Sequence, residues 1–265
     1  MMRLERLAAA AGVIGVLTLS ACGSSGSGSG ASGEIDRSTD QIISDTAAAI
    51  KGAHSFHMHG NFTSGGDAVG LDLHIGGPQS VSGSITLKGT TAKLVLVNGD
   101  TYIQGKEFFA VFGNAQAAAL VGDNWVKLPA SAASSVQTSF ALFADTSTFS
   151  HCFLSTGSGT SLNKSASTLN GVAVIELTGG GSTLDVAATG PTYPLRVSGS
   201  GGSSGSGLGT KSSDPACSPG GASGSASGSS SSGSGGSGAI LFDSWGVTVT
   251  VTPPPGALDL SSFGG

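Results

Sequence analysis

Two stretches decide the reading of this chain: Phe56-His57-Met58-His59-Gly60-Asn61-Phe62, and Val69-Gly70-Leu71-Asp72-Leu73-His74-Ile75, separated by Ser64-Gly65-Gly66. In each, apolar and polar residues alternate with period two, as a strand buried on one face requires. The glycine pair between them turns the chain back, predicting an antiparallel hairpin. Pairing Phe62 with Val69 makes the apolar faces coincide. The same register sets His59 opposite Asp72 and His57 opposite His74 on the other face, with opposed side chains about 5 Å apart.

Upstream, Ser38 to Lys51 has helical periodicity. Ser38 and Gln41 form a capping box, Ile42, Ile43, Ala47 and Ile50 share one face, and Gly52 is the expected stop. Downstream, further strands are predicted at 81–87, 91–97, 101–104, 125–128, 172–178, 182–187, 195–197 and 246–252, mostly at the short spacing of a meander. Between them, 108–120 and 134–154 read as helical or irregular and apolar. The fold class is α+β: a large curved antiparallel sheet, an unclosed half-barrel, with helices packed on its concave face.

The first 33 residues are of another kind. Arg3 and Arg6 precede an apolar run from Leu7 to Leu19, too short to span a bilayer comfortably, which is the layout of an export signal over residues 1–21. The run ends in Leu19-Ser20-Ala21-Cys22, which resembles the lipobox of bacterial lipoproteins and makes Cys22 the expected lipidation site. Residues 22–33 then form a Gly/Ser tether, expected to span roughly 15–20 Å. The expected location is the extracytoplasmic side of the cell membrane, held by two acyl chains at about 0.8 kcal/mol per buried methylene. An ordinary cleaved signal is the alternative.

Of the chain's 11 Lys+Arg and 16 Asp+Glu, Arg3, Arg6 and Glu5 fall in the signal, leaving 9 and 15. That acidic balance, without a basic run, argues against nucleic acid as a partner. A second Gly/Ser-rich stretch, 198–238, reads as a low-complexity insertion in one domain covering 34–265. GxGxxG at 28–33 and GxSxG at 201–205 lie inside such composition, where matches arise by chance, so neither supports a nucleotide site or a nucleophile. No catalytic constellation and no cofactor site is assigned.

The lipobox, the N-terminal helix and the meander occur with four further segments: Asn98-Gly99-Asp100-Thr101-Tyr102-Ile103, Asp123-Asn124-Trp125-Val126-Lys127-Leu128-Pro129, Tyr193-Pro194-Leu195-Arg196 and Phe242-Asp243-Ser244-Trp245-Gly246. Together they resemble the LppX/LprA/LprF/LprG lipoproteins of mycobacteria and their actinobacterial relatives. The resemblance covers most of the chain outside its Gly/Ser segments. It implies a LolA/LolB-like half-barrel whose concave side holds the acyl chains of a lipid or glycolipid. The 198–238 insertion departs from that pattern.

On this reading the cavity would be lined by Phe56, Met58, Val69, Leu71, Leu73, Ile85, Leu87, Leu94 and Leu96 from the strands. Phe109, Phe112, Phe140 and Phe143 would join them from the middle segment, which carries seven of the eleven phenylalanines. A dry core filled by the helices, in an envelope scaffold or sensor acting through protein partners, explains the same apolar faces. The polar face offers His57, His59, Asp72 and His74 as ligands for zinc or copper, but polar residues on the outer face of a half-buried sheet need no such explanation, and the solvated face is the reading taken; no metal is assigned. Cys152 and Cys217 remain after Cys22 is lipidated, and outside the cytoplasm they form either a disulfide or two free thiols.

Overall fold

The computed structural model describes residues 35–64, 66–112, 115–154, 161–200 and 237–262. The expected signal, Cys22, the tether, Cys217 and most of the Gly/Ser insertion therefore lie outside the described residues. Among the described residues no helix is long and apolar enough to cross a membrane.

Helix α1 (Thr39–Ala53) starts where its chemistry directs. The Gln41 backbone N–H donates to the Ser38 hydroxyl and the Ser38 N–H to the Gln41 side chain, closing the capping box. Its end differs from expectation. The left-handed residue is His54 rather than Gly52 (φ 58°), because Ala53 continues the buried stripe of Ile42, Thr46 and Ile50.

Strands β1 (Phe56–Ser64), β2 (Asp67–Ile75), β3 (Ser80–Leu87), β4 (Thr90–Val97) and β5 (Asp100–Gln104) form the expected meander. The β1–β2 register is the one read from the sequence: Phe62 faces Val69, His59 faces Asp72 and His57 faces His74. After β5 come α2 (Lys106–Phe112), α3 (Ala115–Val121), β6 (Val126–Lys127), α4 (Ala130–Ala144) and α5 (Thr146–Leu154). The second half returns as β7 (Asn163–Leu169), β8 (Val172–Gly179), β9 (Ser182–Ala187), β10 (Pro194–Ser200) and β11 (Ser237–Asp243), with β12 (Leu258–Asp259) at the end.

All twelve strands belong to one open sheet in the order β12-β6-β5-β4-β3-β2-β1-β11-β10-β9-β8-β7, antiparallel except where β12 runs parallel to β6. The junction of its halves is β1 against β11, where Met58 faces Phe242 and Gly60 faces Ile240. Gly60 (φ 156°) and Gly83 (φ 150°) let adjacent backbones close in. A Cβ on Gly83 would lie 2.0 Å from the Asp72 carbonyl oxygen, and one on Gly60 2.2 Å from that of Ala239.

Three expectations about strands need correction. β7 and β11 were not foreseen, and the ladder includes Ser198 to Ser200 and Ser237 to Gly238 at the margins of the Gly/Ser stretch. The predicted strand at 246–252 joins no ladder among the described residues. Val251 instead packs against Val95, Val97 and Tyr102, on the sheet face opposite Leu94 and Leu96. Pro253, Pro254 and Pro255 follow it, and proline cannot donate to a ladder.

One core cluster takes in both halves of the sheet and the helices. Ile42 and Ile50 of α1 and Phe149, Phe153 and Leu154 of α5 pack with Phe56, Met58, Leu73 and Leu96, and with Ile175, Leu177, Leu184 and Phe242 across the junction. Phe149 is its hub, stacked on Phe56 at 5.3 Å and on Phe153 at 4.8 Å.

Candidate functional site

The register sorts the apolar face of β1–β5 into rows running across the strands. The first is Phe56, Ile75, Val81 and Leu96; the second is Met58, Leu73, Gly83 and Leu94; the third is Gly60, Leu71, Ile85 and Ala92; the fourth is Phe62, Val69, Leu87 and Thr90. Side chains of the first row, together with Met58, Leu73 and Leu94, are at most 2% exposed. Side chains of α1 and α5 pack with these residues in one core. Beyond them the helices give less cover, and Phe62, Leu71 and Ile85 are only partly buried.

There a cavity of about 340 Å³ opens. Its floor is Phe62, Leu71, Ile85, Leu87, Ala92, Leu94 and, from β5, Ile103. Its roof is Phe108 from α2 with Val136, Phe140 and Phe143 from α4. Lys93, itself exposed, is the one charged residue along it among the described residues. A volume of this size falls at the lower end of the range of small-molecule sites.

The residues named from the sequence divide accordingly. Leu71, Ile85, Leu87, Leu94, Phe140 and Phe143 line the cavity. Phe56, Met58, Leu73 and Leu96 are buried in the helix-filled core instead, because α1 and α5 occupy the space above them. Val69, between Phe62 and Leu87 in the fourth row, is buried without lining the cavity, and Phe109 packs against the core. Phe112 points away from the cavity lining; it is 44% exposed and leans on Phe108 at 4.6 Å between ring centres. Phe62, Ala92, Lys93, Ile103 and Val136 were missed, and Phe108 was read as one of the middle-segment phenylalanines over the cavity and not as part of its lining. The spacing of Val136, Phe140 and Phe143, i, i+4 and i+7, was a usable signal that one helix face carries all three.

Beside the cavity, α2 and α3 present Val111, Phe112 and Leu120 to solvent, each between 44 and 53% exposed. Cys152 lies in α5 and is disulfide-bonded, whereas the sulfur of Cys217 lies outside the described residues. A second, polar cleft of about 300 Å³ lies between β6, α4 and the C-terminal segment. The Lys127–Asp100 ion pair at 2.8 Å and the bond from the Gln137 amide to the Gly99 carbonyl at 2.7 Å occupy its polar groups with one another.

On the opposite face the histidines form a network that draws on β11 as well as β1 and β2. His57 donates from Nδ1 to Asp243 and from Nε2 to Asp72, both at 3.0 Å. With both carboxylates ionised, each of these bonds takes a ring proton. Burial disfavours this imidazolium, but the bonds to Asp72 and Asp243 and their charges outweigh it and raise the His57 pKa above its ordinary value. Burial likewise pushes the Asp243 carboxyl up, and the Ser244 hydroxyl and His57 outweigh it and hold it below the usual carboxylate range. His57 also stacks on His74 at 4.2 Å and on His59 at 4.8 Å.

No protein-family model matches the chain, and no curated protein matches it. Among solved structures, a LolA superfamily protein from Nitrosomonas europaea is similar at 10% sequence identity, covering 82% of this chain and 96% of that one with a TM-score of 0.25. A likeness at that level carries nothing about what this chain binds.

Proposed function

We propose that this chain is a non-enzymatic lipoprotein of the cell envelope, anchored through Cys22 outside the membrane, which shields the acyl chains of a lipid or glycolipid for transport or presentation. The observation that carries this reading is the apolar cavity over Leu71, Ile85 and Leu94, roofed by Phe108, Phe140 and Phe143. A surface of this composition gains by hydrophobic burial, at roughly 25 cal/mol per Å², and apart from Lys93 it is lined by apolar side chains, which suits a hydrocarbon. Two further features support it. The sequence resembles the LppX/LprG-type lipoproteins, and the exposed Val111, Phe112 and Leu120 provide an apolar surface beside the cavity for contact with the bilayer to which Cys22 would tether the domain.

Native mass spectrometry of the chain from Gly23 onward, expressed without Cys22 and its anchor, followed by organic extraction, tests this. A stoichiometric acylated species that dissociates on extraction is expected. A clean apo mass from lipid-containing cells would reject carriage and favour the scaffold or sensor that acts through envelope protein partners.

A further inference from the structure

The network of His57, His59 and Asp243 is not used by the cavity, which lies on the other face of the sheet. We infer that these three residues form a binding site for a divalent transition-metal ion, zinc or copper. One ligand atom from each lies within 4.8 Å of the others. Asp243 Oδ1 is 3.0 Å from His57 Nδ1 and Asp243 Oδ2 is 3.6 Å from His59 Nδ1. Ligands around one tetrahedral ion with bonds near 2.0–2.2 Å stand roughly 3.3 Å apart, so each oxygen of this carboxylate stands near that separation from one of the two rings.

A second observation points to a missing ligand. His59 Nδ1 is buried and has no hydrogen-bond partner, a costly state for a polar atom that an ion would relieve. The ion replaces the proton on His57 Nδ1, while His57 Nε2–H keeps its bond to Asp72. That is the carboxylate–histidine–metal arrangement in which an outer carboxylate fixes the ring. His59 must tilt out of its 22° stack on His57 to aim its lone pair at the ion, and its side chain, 37% exposed, is free to do so on the solvent side. The fourth position remains for water, as in open zinc sites. Imidazole nitrogen and carboxylate oxygen suit both ions, with copper(II) expected to bind more tightly than zinc. The alternative set, His57, Asp72 and His74, is also compact, but it is more exposed and none of its described atoms is left buried and unsatisfied.

The full chain, kept in detergent, purified through a tag without histidine and stripped with chelator, provides the test. Equilibrium dialysis against zinc should give one ion per chain. His59→Gln and Asp243→Asn should each weaken binding at least about tenfold, and Asp72→Asn by roughly tenfold through loss of ring orientation. His74→Gln and His151→Gln should leave it unchanged. Because Asp243→Asn also removes an ion pair, the wild-type chain loaded with copper(II) gives an independent readout: electron paramagnetic resonance with hyperfine coupling to two imidazole nitrogens. Failure to retain either ion, a copper signal without nitrogen coupling, or binding that survives His59→Gln but is lost in His74→Gln would overturn the assignment.

Discussion

Leu73 and Leu71 sit two residues apart on the same face of the same strand, yet one is fully buried under α1 and α5 and the other lines an open cavity. The same contrast separates Leu96 from Leu94's outer neighbour Ala92, and Met58 from Phe62. Period-two patterning makes all of these residues equivalent; what distinguishes them is how far the covering helices reach. Helices α1 and α5 pack one end of the apolar face into core, and at the other end α2 and α4 leave a cavity above the strands.

The largest expected effect lies in the filled rows. Phe56→Ala removes a ring stacked on Phe149 and on Trp245 and should cost about 3–5 kcal/mol in chemical denaturation, with or without lipid present. A loss below about 1 kcal/mol would mean that the first rows are not a packed core.

Delipidation is the counterpart in the open rows. A chain held at about a hundred times the dissociation constant of its lipid should lose about 2.7 kcal/mol when the lipid is extracted. Thermal melting before and after extraction measures it, and coincident curves would erase the distinction between the two ends.

The pair Leu73→Trp and Leu71→Trp sharpens it. The first overpacks a closed core and should destabilise the delipidated protein by about 1–3 kcal/mol, whereas the second has room and should change it by less than about 1 kcal/mol while abolishing lipid uptake. Equal costs in urea titrations would contradict the row-by-row account.

The smallest effect belongs to the polar face. His57 has a raised pKa when folded, so its contribution is fully present below its unfolded value of about 6.5 and is lost as pH rises through the folded value. Asp243, with its lowered pKa, contributes above the ordinary carboxylate value and loses that contribution as pH falls. With His59, Asp72, His74 and Asp243 around His57, wild type should therefore lose stability relative to His57→Gln as pH is raised above about 6.5. A difference independent of pH between 5 and 9, measured at about half-unit steps, would show that the ion pairs do not hold these strands.

Much of the sheet could be read from the chain because its first hairpin is strongly specified: one register alone aligns Phe62 with Val69 and buries both apolar faces. The capping box at Ser38 was equally explicit. β7 was illegible because Asn163 to Leu169 is an almost wholly exposed edge strand with no apolar alternation. β11 was illegible because Ala239-Ile240-Leu241-Phe242 is a continuous apolar run beside a Gly/Ser stretch, a pattern that periodicity cannot classify. Missing β11 also hid Asp243, which the β1–β11 pairing sets opposite His57. Conversely, Val247, Val249 and Val251 alternate like a strand, and nothing in their spacing says that no neighbour among the described residues pairs with them. For the cavity, the strand-borne floor was legible and its limits were not, since those depend on where α1, α4 and α5 lie over the sheet.

The central claim is that the cavity end of the face, and not the exposed apolar side chains beside it, holds the acyl chain. Photolabelling with a lipid carrying a diazirine within its acyl chain, followed by peptide mapping, tests this most directly. The account predicts labels on Leu71, Ile85 and Phe140; labels confined to Val111, Phe112 and Leu120, or none at all, would contradict it.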